Sequence, residues 1–261
     1  MTANRTTTGS TLWREVFAGQ WTAILLGCIG SLVIMLGTLL AAVLVQSGRS
    51  NAVLAVLAAG AIWVAMASGV LAASGRGWWA TFLRAGVIAD SCGLALVIFW
   101  AIGLAIWPAG SISLLSAIKV YCVYAVLSLL SASAVQLARR EAWRYAVAAA
   151  CAAVLMAAMA SPFWINGLLE SAPAESRPAI ITAAVQYNPF YSVTSAVYSD
   201  TQRIWHESHV LYSISAIADR SPGVVPWHGA VLRYAIISLF LAAVAVVKQA
   251  CFTGRSKASG K

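Results

Sequence analysis

Charge is scarce in this 261-residue chain: only 10% of its residues are Asp, Glu, Lys or Arg, against about one-quarter in an ordinary soluble domain. Polar tracts long enough to build a soluble domain are also missing, and 61% of the residues are hydrophobic. Together these exclude a water-soluble globule and predict a single integral membrane domain over residues 1–261. Histidine is nearly absent. His206, His209 and His228 all lie outside the middle of any apolar run, so none is placed to ligate haem across a bilayer. WHESHV sets His206 and His209 three residues apart without the H-E-x-x-H spacing, and solvent-facing side chains are expected there rather than a metal site. No G-x-S-x-G elbow, no pair of intramembrane aspartates and no G-x-x-x-x-G-K-[ST] phosphate loop occurs. No catalytic set is recognisable, and if ATP drives this protein another chain must bind it.

The formal net charge of +9 does not point to nucleic acid, because the basic residues stand at the ends of apolar runs instead of gathering on one face. Cys28, Cys92, Cys122 and Cys151 lie inside apolar runs and Cys251 follows the last, which suits small packing residues better than a disulfide framework.

Six segments reach the roughly 20 residues that cross a hydrocarbon core: Thr22–Val45, Ala52–Ala73, Ala85–Trp107, Ile112–Leu137, Tyr145–Leu169 and Trp227–Val247. The fold class expected is all-α, a polytopic membrane protein with six transmembrane helices. With both termini cytoplasmic, the inside segments hold Arg5, Arg14, Arg76, Arg84, Arg139, Arg140, Arg144, Lys248, Arg255, Lys257 and Lys261. The outside segments hold only Arg49, Arg177, Arg203 and Arg220, a positive-inside bias that sets the expected orientation. Trp21, Trp78, Trp79, Trp107, Trp143 and Trp227 sit near span ends, where an indole favours the headgroup region.

Residues 1–21 precede span one, and Trp13, Val16, Phe17 and Trp21 recur there at helical spacing. They read equally as a short interfacial helix or as an extension of the span. The loop SGRGWWATFLR carries Arg76, Trp78, Trp79 and Arg84, either a candidate docking element for a cytoplasmic partner or a Trp/Arg interface anchor. Within spans, Asp90 of span three and Lys119 of span four are candidate cavity-lining charges. The span boundaries put them on the order of 10 Å apart in depth, too far for a direct ion pair. Snorkelling of each toward its nearer interface is the competing reading. Residues 248–261 form a basic tail.

Residues 170–226 make one long outside segment holding five of the eight acidic residues. In RPAIITAAVQYNPFYSVTSAVYSD, Pro178 can open a helix that Ala179–Tyr187 continues. Asn188 is then a good N-cap and Pro189 suits the first helical position, so Phe190–Tyr198 forms a second short helix. Each arm is too short to span, and a re-entrant or interfacial hairpin is expected, with Asn188, Pro189 and Phe190 at its turn.

This arrangement resembles the permease subunits of type 2, exporter-type ABC transporters. The likeness lies in topology over most of the chain, and in sequence in the Asn188-Pro189 pair that follows a short apolar stretch. The resemblance implies an interfacial N-terminal helix, six spans, cytoplasmic termini and re-entrant helices outside between spans five and six. It also implies partnership with an ATP-binding cassette subunit that carries ATP and Mg, a second permease copy, identical or not, and a plasma membrane, the inner membrane of a bacterium. No cofactor is expected in this chain. SGRGWWATFLR lacks the acidic residues that the family's coupling loop often has. The alternative is a non-catalytic scaffold or assembly protein that binds an external partner through residues 170–226.

Overall fold

The computed structural model describes residues 21–44, 49–75, 77–106, 112–201 and 226–258. The N-terminal segment before Trp21, Arg76, Trp107 and the stretch with His206 and His209 lie outside them. The described chain is helical, in the order α1 (Trp21–Leu44), α2 (Arg49–Ala73), α3 (Trp78–Ile106), α4 (Leu114–Val135), α5 (Glu141–Met159), α6 (Ser161–Ser171), α7 (Arg177–Gln186), α8 (Pro189–Ala196), α9 (Tyr198–Thr201) and α10 (Trp227–Ala258). Six of these, α1 to α5 and α10, are long and apolar enough to cross a membrane. In hydrocarbon each backbone N–H and C=O must be paired within the segment, which is why unbroken apolar runs become helices. The protein is a polytopic, all-helical membrane protein.

Apolar residues ring each span, so apolarity alone does not choose the inward face. The fit between spans does, and glycines and hydroxyls mark several of the close approaches. α2 and α4 occupy the centre: α2 packs against α1, α3, α4 and α5, and α4 packs against α2, α3, α5 and α10. Gly60 of α2 leaves room for Tyr124 of α4, whose hydroxyl donates to the Leu57 carbonyl at 2.8 Å. Gly93 of α3 does the same for the Tyr121 ring, which a Cβ there would meet at 2.7 Å. Ser31, Ser68, Ser91 and Ser238 are buried and donate to the carbonyl four residues earlier, which leaves these hydroxyls satisfied inside the bundle.

Three spans depart from the sequence-based boundaries. The last continues as helix to Ala258, past the expected Val247 and through most of the basic tail. Span three starts at Trp78, seven residues before the expected Ala85, so Arg84 lies within the helix. Span five ends at Met159 and not at Leu169. Ala160 (φ −80°, ψ 3°) turns the chain and α6 starts anew at Ser161. Pro162 is the reason: it has no N–H for the Ala158 carbonyl, and its ring crowds that carbonyl, so α5 cannot run on. Carbonyls freed at the break find new donors. The Trp164 indole reaches the Ala157 carbonyl at 2.9 Å, and the Asn188 amide reaches that of Met159 at 3.3 Å.

Helices α6 to α9 gather at one end of the bundle, called here the capped end. Arg84, Arg139, Arg140, Arg144 and Lys248 mark the other, the basic end.

Candidate functional site

The two short helices expected around Asn188-Pro189 are present, as α7 and α8, and their surroundings differ. α7 stays largely exposed, burying only Ile181 and Val185 against Ile165 and Leu169 of α6 and Tyr191 of α8. All eight residues of α8 are buried. α8 packs against α2, α4, α5 and α10, so it enters the bundle among the spans and does not lie along the lipid surface.

Asn188 fixes this entry. Its extended backbone (φ −88°, ψ 116°) places it as N-cap, where Oδ1 accepts from Phe190 N at 2.8 Å and Tyr191 N at 3.2 Å. Nδ2 donates to Met159 O at 3.3 Å and to Ser161 Oγ at 3.2 Å. A primary amide offers two acceptor positions and two donors, and here all four are used within a site only 3% exposed. One half of the amide starts α8 and the other half holds the break between α5 and α6. Pro189, at the first helical position, has no N–H to leave unpaired.

Helix α10 holds the other side of the same turn. Arg233 donates from Nη2 to Gln186 O at 2.8 Å, with its guanidinium carbon 5.7 Å from the centroid of the Tyr187 ring. Tyr234 Oη donates to Tyr187 O at 2.9 Å. The end of α7 thus receives its donors from a span, and this costly intramembrane arginine has a structural partner. A third tie runs to α4. Asp200 Oδ2 accepts from the backbone N–H of Ser113 at 2.7 Å and from its hydroxyl at 3.0 Å. Ser113 is the N-cap of α4, so the carboxylate also sits at the favourable end of that helix dipole. Burial pushes the Asp200 carboxyl upward, but the bonds from Ser113, Ser116 and Ser199 outweigh it and hold the group below its ordinary value. The capped segment is therefore tied to α4, α5 and α10 by named side chains. Arg233 and Asp200 had a readable signal, an arginine early in an apolar span and an acid beside a break. Nothing in the sequence named their partners.

The basic-end loop is a tight turn. Gly77 adopts φ 89°, and Trp78 meets Phe82 edge to face at 5.4 Å. Arg84 is buried, and its Nη1 donates to Ser74 O at 2.5 Å. Arg144 of α5 binds Gly75 O through Nη1, and through Nη2 it reaches Ala72 O at 3.2 Å and Thr81 Oγ1 at 2.6 Å. Both guanidinium groups are spent on the carbonyls that end α2, so Arg84 braces the loop from within. Among the described residues of the loop, Trp79, 72% exposed, is the side chain it presents.

Asp90 is exposed beside a groove of about 310 Å³ between α3 and α4, and Tyr121 Oη donates to its Oδ1 at 2.7 Å. Lys119 does not line that groove. The expected 10 Å separation in depth is a product of the late start assigned to span three. Tyr121 stands within reach of Asp90, and Lys119 is only two residues from it on α4, about 3 Å of rise.

Compared with protein-family models, characterised proteins and solved structures, the chain matches none.

Proposed function

We propose that the chain is the membrane-spanning permease subunit of an ATP-driven, exporter-type transporter. The observation that carries this reading is α8: a short helix between spans five and six, capped by Asn188, started by Pro189 and buried among the spans. A helix that merely decorated the surface would need neither burial nor three separate ties. One that forms part of a pathway lining must be held against the spans that move.

In this reading both termini are cytoplasmic, following the positive-inside bias, and the capped end faces outward in a bacterial inner membrane. ATP and Mg bind to a separate cassette subunit at the basic end, where Trp79 is exposed, and a second permease copy completes the pathway. Nucleotide-driven closure separates or rejoins α5 and α10, and α8 follows because Asn188, Arg233 and Tyr234 bind it and its turn to both. The work is conformational gating.

Affinity purification of the tagged chain from its native membrane tests this. An ATP-binding cassette protein should co-purify and be lost on Trp79→Ala. If no such ATPase is recovered and its depletion leaves the phenotype of a deletion strain unreproduced, the transport reading fails and the scaffold reading replaces it.

A further inference from the structure

Two opposite charges lie on the outward side of α3 and α4 without meeting each other. Asp90 is exposed, and among the described residues its one bonded partner is the Tyr121 hydroxyl, at Oδ1. Lys119 is half-buried and makes no hydrogen bond or ion pair with any described residue. Charges facing hydrocarbon are costly, and in membrane proteins they pair or line a polar path.

Their placement around α4 is specific. The buried side of α4 carries Ser116, Val120, Val123, Tyr124 and Leu127, while Leu114, Leu115 and Ile118 are 47%, 61% and 51% exposed. At about 100° per residue, Tyr121 stands at one margin of this exposed strip and Lys119 about 160° around the helix at the other. The Tyr121 margin borders α3 and Asp90, and the Lys119 margin lies on the far side of the strip from it. Acid and base thus flank the strip on opposite sides at similar depth.

We propose that this strip is where a second copy of the chain docks, with Asp90 of each protomer meeting the partner's Lys119. A two-fold axis along the membrane normal preserves depth, so only groups at like depth can pair across it, as these do. Rotation also carries the Lys119 side of one α4 over the Asp90 side of the other, giving two identical ion pairs, one at each margin of the apolar strip. This is the reciprocal pattern of an isologous interface. The groove beside Asp90, floored by Gly93, provides the volume a lysine stem needs. A bound organic cation fits less well, because Lys119 would repel it from the same face. The inference rests on the transport reading only for its expectation of a second permease; the charges and their positions stand without it.

Cys122, a half-buried free thiol, lies near the middle of the strip and so close to the axis. The test uses the full chain in native membranes with the other four cysteines replaced by serine or alanine, oxidised with copper phenanthroline. A disulfide-linked dimer is expected through Cys122, or through Leu115→Cys in a Cys122→Ala background. Asp90→Lys or Lys119→Asp alone should lower the crosslinked fraction about tenfold, since like charges then face each other, and the double reversal should restore it. Fluorescence-detected size exclusion reports that each variant folds. Absence of crosslinking at both positions in a folded chain, or single reversals that leave the yield unchanged, overturns the proposal. The readout involves no ATPase, so it can fail while the cassette protein still co-purifies, and the reverse.

Discussion

The side-chain amide of Asn188 donates to the backbone carbonyl of Met159 while its oxygen caps α8, so one residue closes a span and opens a buried helix 29 positions later. The bond lies at the point where Pro162 stops α5, and it supplies a donor to a carbonyl that the helix can no longer pair. What happens to Asn188 therefore tests both halves of the junction.

Replacing Asn188 with aspartate keeps the cap but removes both donors, whereas alanine removes everything. Loss of the cap costs about 1 kcal/mol, and leaving a buried Met159 carbonyl without a donor adds about 1–3 kcal/mol. Thermal unfolding in nanodiscs should rank wild type above either variant. Asn188→Ala combined with Pro189→Ala is expected to reduce transport more than it reduces membrane abundance. Equal losses in the two would assign the junction to folding alone.

The Asp200–Ser113 tie sets a pH dependence. Its carboxyl is held below the ordinary value in the folded protein, so the stabilisation is fully present above the unfolded pKa of about 3.9 and is lost as pH falls through the lower folded value. The difference in unfolding temperature between wild type and Asp200→Asn should be constant from neutrality to about pH 5 and shrink below about pH 4. A difference that grew on acidification would contradict the assigned bonds.

Arg233→Lys retains the charge but loses the planar group that both reaches Gln186 O and lies over Tyr187. Hydrogen exchange of residues 177–187 should rise, with that of α8 rising less because Asn188 still holds its start. Unchanged exchange in α7 would show that the arginine does not restrain it.

At the basic end, Arg144→Ala removes the donors that cross from α5 to the carbonyls of Ala72 and Gly75. It should lower thermal stability by about 1–3 kcal/mol, the cost of leaving the buried Gly75 carbonyl unpaired, since the Ala72 carbonyl still accepts from the Gly75 N–H. Trp79→Ala should leave stability within about 0.5 kcal/mol, as an exposed position does, while weakening capture of the ATPase. Reversal of those two outcomes would move the coupling role from Trp79 to the brace.

Much of the fold was legible because hydrocarbon imposes one simple rule. A run of about 20 apolar residues must be helical, and Asn-Pro after a short run marks a cap and a restart whatever surrounds it. The six spans, α7 and α8 follow from local chemistry of that kind. The burial of α8 does not. PFYSVTSA is apolar enough for a lipid surface and small enough for a protein interior, and the sequence contains no preference between them. Only the juxtaposition of α2, α4, α5 and α10 decides it, by offering a space into which those side chains fit.

Charged residues divide the same way. Lysine and arginine counts at the span ends speak to topology because each acts on the bilayer independently. Arg84, Arg144 and Arg233 each carry out a task fixed by a carbonyl on another element, between 10 and 72 positions away. A carbonyl is the same group at every residue, so no letter in the sequence marks the one that will be left open. Where α2 and α7 end, and which guanidinium stands beside each end, is settled by the packing of the helices in three dimensions.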